Sequence, residues 1–181
     1  MVDRWFDTST APAFVERGER QRTIGDLQIS NIIVLLPVAS QEPDGRSRRL
    51  SGNGAITARR LVDDEYCGFL HYYLLSAPCA DGDGDGSLLA IRVTDVAVFE
   101  DFRDQGVASA LYQELREAHL KYVIGADQRL TDDGRRVATH YRRKFPDRHV
   151  GRFDTDRVLH VTAGPDDPSY EPAYLAPDSH T

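Results

Sequence analysis

The sequence predicts an α/β (α+β) domain in which a mixed central β-sheet is flanked by helices. Three apolar runs rich in β-branched or aromatic residues come first, at 27–38, 67–76 and 88–99, and such runs are typical of strands. After Gly106 the apolar spacing changes to three or four residues, which is typical of a helix packed on a sheet. A chain of 181 residues, 40% of them hydrophobic, can bury one core.

We assign residues 1–163 to this single domain. Residues 164–181, which hold four prolines and four acidic residues, are assigned to a C-terminal tail. Prolines and charges at this density favour a segment that packs loosely or pairs with a partner.

The strands follow one another along the first half of the chain. Leu27–Val38 is the most apolar run and predicts a buried strand. Residues 41–54 hold proline, glycine, serine and three arginines, so we expect a loop there. Residues 55–62 alternate weakly and lead into Cys67–Ser76 as a hairpin. Leu88–Phe99 predicts another strand.

Helices are predicted in the second half. The apolar positions after Gly106 (Val107, Ala110, Leu111, Leu115 and Ala118) form one buried stripe. A second helix is expected from a Thr131 cap to about Lys144, with acids in its first turn. A short strand is expected at 122–124, and a strand or hairpin at 150–162. In residues 1–22 only Thr10–Pro12 suggests an element, the start of a short helix.

Composition excludes several classes of protein. The net charge is −7 and the isoelectric point about 5.3, which disfavours a broad surface for nucleic acid or membrane. The sequence contains no run of about 18 apolar residues, so no transmembrane helix is expected. The first ten residues do not resemble a secretory signal. Two cysteines are too few for a disulfide framework or a four-ligand zinc site. We therefore expect a cytoplasmic protein.

The stretch that carries chemistry is 96–111, where a strand is followed by a short turn and then by a helix. Amides at a helix start have no intrahelical partner, and the helix dipole favours an anion there. Gly106 allows close approach of the backbone, Ser109 adds a hydroxyl donor, and Arg103 adds a charge that can contact two phosphate oxygens. The alternative is an ordinary helix start with a turn glycine, because short glycine motifs are weak signals.

Residues 98–111 (VFEDFRDQGVASAL) resemble the acyl-CoA loop of the GCN5-related N-acetyltransferases. That family has a strand followed by V-x-P-x-[FY]-R-x-x-G-[VI]-[GA]-x-x-L; here Glu100 replaces the proline, and Ala108 is the last small residue. The resemblance implies a GNAT-like fold and acetyl-CoA as the acyl donor. It also implies pantetheine binding along the backbone of Val96, Ala97 and Val98. For the diphosphate it implies the amides and side chains of Arg103, Asp104, Gln105, Gly106, Val107, Ala108 and Ser109.

A second match lies in the second predicted helix. Residues 137–145 (VATHYRRKF) are similar to the family's A-x-x-x-Y-x-K-x-G-F pattern, although they lack the glycine. The resemblance implies that Tyr141 protonates the leaving thiolate; the alternative is a tyrosine packed on the sheet. The resemblance extends over about 88–153. The N-terminal third departs from the family, because no pair of helices is predicted after the first strand.

The base is sought near the strand end, since transfer to an amine requires loss of an ammonium proton. Asp95 interrupts an apolar strand just before the loop, so it is our candidate for the base or for a carboxylate that orients the substrate. The alternative is an outward-facing strand residue. His71 and Tyr72 are expected on opposite faces of their strand. Cys67 and Cys79 are expected to be inert thiols, because no local histidine pattern activates them.

Two further motifs have ordinary explanations. Asp81–Gly86 fits the front half of a calcium loop, but Arg92 stands where the loop needs a glutamate. A hairpin loop is therefore favoured, and no metal is expected. The arginines at 46, 48 and 49 suit a solvated loop or, in the alternative, a phosphate or nucleic acid.

The sequence therefore predicts an N-acetyltransferase that moves an acetyl group from acetyl-CoA to a primary amine, directly, in a ternary complex. The acceptor is an amine on a small molecule, peptide or protein. Two alternatives stay open: a non-catalytic acyl-CoA-binding regulatory module, and a nucleic-acid-modifying acyltransferase. No membrane partner is expected, and the sequence leaves a homodimer open.

Overall fold

Most of the chain forms one mixed sheet with two helices. The computed structural model describes residues 16–38, 49–78, 87–120, 122–126, 129–144, 150–153, 158–160 and 171–172. Eight strands in this part of the chain form one sheet. The predicted α/β class, a mixed central sheet flanked by helices, is confirmed.

The first five strands are β1 (Glu16–Ile24), β2 (Leu27–Val38), β3 (Arg49–Arg60), β4 (Tyr66–Pro78) and β5 (Ser87–Val98). A 3-10 turn (Glu100–Phe102) precedes α1 (Val107–Ala118), β6 (Val123–Ala126), β7 (Arg129–Leu130) and α2 (Asp132–Lys144). The last strands are β8 (Val150–Phe153), β9 (Leu159–His160) and β10 (Glu171–Pro172).

The order of the strands in the main sheet is β1-β2-β3-β4-β5-β6-β8-β9. Strands β1 to β5 form an antiparallel meander, and β6 and β8 are then added in parallel. β9 returns antiparallel to β8, and β10 pairs with β7 apart from the main sheet.

Both predicted helices are confirmed. The amide of Gly134 donates to the Thr131 hydroxyl over 3.0 Å, as the predicted cap requires. The strand expected at 122–124 is β6, and the segment 150–162 contains the hairpin of β8 and β9. The short helix suggested at Thr10–Pro12 lies outside the described residues. The division at residue 163 stays a prediction, and Glu171–Pro172 of the assigned tail pairs with β7.

Two expectations about strands were wrong. β1 was not predicted, because its sequence ERGERQRTI lacks apolar alternation; its strand state comes from pairing with β2 along its whole length. The loop expected over 41–54 is strand from Arg49 onward, because residues 49–54 pair with β2 and residues 52–54 pair with β4 as well. Gly54 suits this position because a Cβ there would meet the Tyr72 ring.

The core lies between α1 and one face of β2, β3 and β4. Along most of these strands buried and more exposed residues alternate, as expected for a sheet with one covered face. Leu111 and Leu115 of α1 are fully buried against it. The buried strand residues that follow this alternation are Leu27, Ile29, Asn31, Ile56, Ala58, Leu70, Tyr72 and Leu74, and Cys67 and Ala77 of β4 are buried in addition. We call the other face, which carries the alternate residues, the open face.

Polar groups also tie α1 to the sheet. The Tyr72 hydroxyl donates to Asn31 Oδ1 over 2.9 Å and lies 2.9 Å from His119 Nε2. The Asn31 amide donates to Glu114 Oε1 over 3.4 Å. Each of these buried groups therefore has a partner on another element, which holds α1 in one position along the strands.

Two arginines of the edge strand β1 complete this contact. Arg20 and Arg22 each lie 3.4 Å from the Glu114 carboxylate, and Arg22 also contacts Glu117. Burial raises the pKa of Glu114, and the positive charge of Arg20 opposes that shift. The hydrogen bond from Arg22 lowers the pKa of Glu117. These ion pairs of Arg20 and Arg22 therefore hold β1 against α1.

No helix in the described ranges is long and apolar enough to cross a membrane.

Candidate active site

The sheet opens at the end of β5. β5 pairs with β4 as far as Val98, whereas its pairing with β6 covers only Ala90–Val93. Within the described residues, the backbone from Thr94 to Val98 therefore has a partner strand on one side and none on the other. Such an edge offers amide and carbonyl groups to an extended ligand.

A β-bulge lies at the same point. His71 pairs with Asp95, but the next residue, Tyr72, pairs with Val93, so Thr94 is the extra residue of β5. A bulge bends its strand and increases the local twist, which accounts for the separation of β5 from β6 directly afterwards. The bulge was not predicted, because it depends on the pairing of two distant segments.

After β5 the chain forms the loop that the motif predicted. Asp104 and Gly106 have left-handed backbone angles, with φ of 61° and 81°. Gly106 precedes α1 and provides no side-chain cap for it, so the amides at the helix start keep their hydrogen-bonding capacity. A Cβ on Gly106 would meet nothing within 4 Å. Glycine is therefore favoured here by its φ angle rather than by lack of space.

The side chains of this loop have different surroundings. Arg103 is exposed and, within the described residues, forms no ion pair. The Gln105 side chain donates to the Asp101 carbonyl over 2.7 Å, which braces the loop. The guanidinium of Arg60 lies 4.8 Å from the centre of the Phe102 ring and covers the 3-10 turn. The loop is thus held from inside while its outer side remains open.

A cavity of about 180 Å³ lies between the start of α1 and α2. Ser109 of the motif and Tyr141 both line it, and the Tyr141 ring lies 4.8 Å from that of Tyr112. The other lining residues are Ala108, Arg136, Val137, His140 and Lys144. The cavity is smaller than the roughly 300–1,000 Å³ of pockets for drug-sized ligands, so it suits one segment of a long ligand.

The sequence did not point to Tyr112 and Lys144, and it favoured a solvated basic face for the arginines of α2, Arg136 among them. Arg136, His140 and Lys144 are spaced four apart and therefore lie on one face of α2. That spacing was a usable signal for a basic face toward a phosphate-bearing ligand, but only the packing of α2 beside α1 shows which cavity the face lines.

A second cavity, of about 870 Å³, lies on the open face. It extends from β1 to Thr94 and Asp95 at the bulge. His71 lines it too, and its Nδ1 lies 3.9 Å from Asp95 Oδ2. Asp95 is 66% exposed. The remaining lining residues are Gln21, Gln28, Ser30, Ile32, Val34, Asn53, Gly54, Ala55, Thr57, Arg59, Asp64, Tyr66, Tyr72 and Tyr73.

The structure brings most of the proposed residues to one region. Residues 94–98 lead without interruption into the loop, and Tyr141 lies across the first cavity from Ser109. Asp95 and Tyr141 lie on opposite faces of the sheet. His71 and Tyr72 point to opposite faces, as predicted: His71 is exposed and Tyr72 is buried.

Other candidates take no part in this region. Cys67 is buried, and burial raises the pKa of its thiol, which disfavours the reactive thiolate. Cys79, Asp81–Gly86 and the arginines at 46 and 48 lie outside the described residues. In the part that the structure describes, no group of three or more histidines, cysteines or acids is arranged to hold a metal ion.

Comparison with known proteins finds a similarity among solved structures. No family model and no curated protein matches the chain. Among solved structures, the chain is similar to a ribosomal-protein-alanine N-acetyltransferase from Brucella melitensis biovar Abortus 2308, with 26% sequence identity and a TM-score of 0.36. The match covers 52% of this chain and 63% of that enzyme, so it spans less than two thirds of the enzyme's length.

Proposed function

We propose that this protein is an acetyl-CoA-dependent N-acetyltransferase that moves the acetyl group directly to a primary amine in a ternary complex. The observation that carries the proposal is the continuous segment from Thr94 to Ser109. It combines a free strand edge, a left-handed loop and an uncapped helix start with the acyl-CoA loop pattern at 98–111.

Each part of the segment suits one part of the coenzyme. The free edge at Val96–Val98 can pair with the amides of pantetheine as an added strand does. The amides of Val107, Ala108 and Ser109 suit the diphosphate, and Arg103 supplies a guanidinium for two of its oxygens. Arg136 and Lys144 line the neighbouring cavity and add positive charge.

The reaction requires positioning and two proton transfers. The amine nitrogen attacks the thioester carbonyl carbon, the new C–N bond forms, and the C–S bond breaks. In this proposal the acceptor reaches the bulge from the open face. There Asp95 either takes a proton from the ammonium group of the acceptor or orients that group. Tyr141 protonates the departing thiolate from the other face. No covalent enzyme intermediate is needed.

Binding is tested first, by thermal unfolding with and without acetyl-CoA. At a concentration about 100 times the Kd, binding stabilises the folded state by about 2.7 kcal/mol. This raises the Tm of a chain of this size by roughly 5–10 °C. Arg103→Glu should remove most of the shift. Arg143→Glu is the matched control, because Arg143 is exposed on α2 and lines neither cavity. A full shift in Arg103→Glu would contradict the proposed position of the diphosphate.

Turnover is tested with four acceptors: tyramine, spermidine, a peptide with a free N-terminal amine, and a terminally blocked peptide with an internal lysine. Mass spectrometry should detect an acetylated product with at least one of them. Tyr141→Phe should lower kcat and leave the acetyl-CoA shift in Tm intact. Coenzyme binding without transfer to any acceptor would instead favour the non-catalytic acyl-CoA-binding module.

A further inference from the structure

The open face carries a histidine and a carboxylate at the bulge, and the proposed mechanism uses only the carboxylate. His71 on β4 and Asp95 on β5 are directly paired residues of adjacent strands. Their side chains are 50% and 66% exposed, and His71 Nδ1 lies 3.9 Å from Asp95 Oδ2. Both line the larger cavity, next to the point where β5 leaves β6.

The neighbours of His71 hold it in place. The Phe69 ring lies against the imidazole with 4.8 Å between the ring centres. The Thr94 hydroxyl, at the extra residue of the bulge, donates to the His71 carbonyl over 3.4 Å. The bulge therefore supports the histidine from its backbone, and Phe69 restricts the ring.

The carboxylate is placed to select one form of the imidazole. A carboxylate near Nδ1 favours the tautomer that carries its proton on Nδ1, because only that tautomer can donate to it. Nε2 is then a proton acceptor. The separation of 3.9 Å is an ion-pair distance, and catalytic contacts in free enzymes are often longer than in their complexes.

We propose that His71 is the base that takes the proton from the acceptor ammonium, and that Asp95 is a positioning residue that holds the imidazole. This inference rests on the acetyltransferase function proposed above. The ammonium proton passes to His71 Nε2, and the nitrogen lone pair attacks the thioester carbon. The C–S bond then breaks, and its electron pair leaves on the coenzyme sulfur, which takes a proton from Tyr141. The nitrogen, now part of the amide, gives up its second proton, which passes through solvent to the Tyr141 phenolate and restores the phenol. The proton on His71 later returns to solvent.

Imidazole is also the better chemical choice for this step. Histidine exchanges a proton close to neutral pH, whereas a carboxylate retains a proton only at lower pH, and proton transfer is most effective from groups matched to the working pH. The charged and titratable residues that share the open face of β3, β4 and β5 with His71 are Asp95, Arg92, Tyr73, Arg59 and Tyr66. Asp64, in the turn before β4, also lines the cavity, but its carboxylate is paired with Arg59 over 2.6 Å, so Asp95 is the carboxylate beside His71.

The experiment measures kcat/KM against pH with whichever of the four acceptors is acetylated best. His71→Ala and His71→Gln should each lower kcat/KM by about 100-fold or more and leave the acetyl-CoA shift in Tm unchanged. Imidazole added to the buffer should restore part of the activity of His71→Ala. His160→Gln is the matched control, because His160 lies on β9 and lines neither cavity.

Variants of Asp95 distinguish its role from that of His71. Asp95→Asn should lower kcat/KM by about tenfold and move the acidic limb of the pH profile, and Asp95→Glu should recover most of the loss. The acidic limb should disappear in His71→Gln. Failure of both His71 variants to lower kcat/KM more than threefold would overturn the inference and leave the acetyltransferase function standing. A larger loss of kcat/KM in Asp95→Asn than in His71→Ala would also overturn the inference, because it would identify Asp95 as the base. Absence of transfer by the unaltered protein would overturn both.

Discussion

Acidification from pH 7.5 to 5.0 should destabilise this protein through His119, the residue that follows α1. Burial, together with the nearby charge of Arg20, lowers the pKa of His119 to about 4. The hydrogen bonds around His119 indicate that its Nε2 carries a proton. The Tyr72 hydroxyl gives its one proton to Asn31, whose amide in turn donates to Glu114. His119 Nε2 therefore supplies the N–H toward Tyr72, and the lowered pKa leaves the ring neutral at pH 7.5, with no proton on Nδ1.

The pKa shift of His119 sets the size of the effect. The unfolded chain takes up this proton near pH 6.5, whereas the folded protein takes it up only near pH 4. Between these values the unfolded state binds more protons, so stability falls as the pH falls. At pH 7.5 the folded and unfolded states differ by almost no bound protons. Summed from pH 7.5 down to pH 5.0, the difference in proton binding lowers the unfolding free energy by about 2 kcal/mol.

Urea unfolding of the native protein and of His119→Gln at both pH values measures this quantity. Glutamine keeps an N–H donor for Tyr72 but does not titrate. Glu114 and the other carboxylates titrate in both proteins, so their contributions cancel in the comparison. The native protein should lose about 2 kcal/mol more than the variant between pH 7.5 and 5.0. An equal loss in the two proteins would refute the buried, neutral state of His119.

Three further substitutions test the core and the loop. Leu111→Ala removes a fully buried side chain of α1 and should lower the unfolding free energy by about 2–5 kcal/mol in urea; a loss below 1 kcal/mol would mean that α1 is not packed as described. Gly106→Ala and Gly25→Ala each place a side chain at a positive φ, 81° and 62° respectively. Each should lower the unfolding free energy by about 1–2 kcal/mol. Only Gly106→Ala should also weaken acetyl-CoA binding, as measured by calorimetry, and equal affinities in the two variants would contradict the role of the loop.

Local patterns were sufficient for several elements. Strands β2, β4 and β5 are continuous apolar or aromatic runs, and both helices carry a clear stripe or cap. These signals depend on neighbours within a few residues. The loop before α1 belongs to the same class, because the left-handed Gly106 and the uncapped amides after it are properties of one short segment.

Long-range pairing decided the elements that the sequence did not predict. β1 consists largely of charged and polar residues, and it is a strand because β2 pairs with it and because Glu114 binds Arg20 and Arg22. The first residues of β3 look like a loop by composition, yet they are strand because β2 pairs with them from Arg49 onward and β4 joins from Gly52 onward. Composition records the chemistry of a segment but not the presence of a partner.

The amino-acid sequence by itself determined the fold class, the two helices and the segment proposed to bind the coenzyme, because each is encoded within about a dozen consecutive residues. Only the tertiary structure decided that β5 separates from β6, that Tyr141 lies across a cavity from Ser109, and that His71 faces Asp95. These relations depend on strand register and on the packing of helices from distant parts of the chain. A shift of one residue in the pairing of β4 with β5 would move His71 and Asp95 apart, and no local pattern specifies that register.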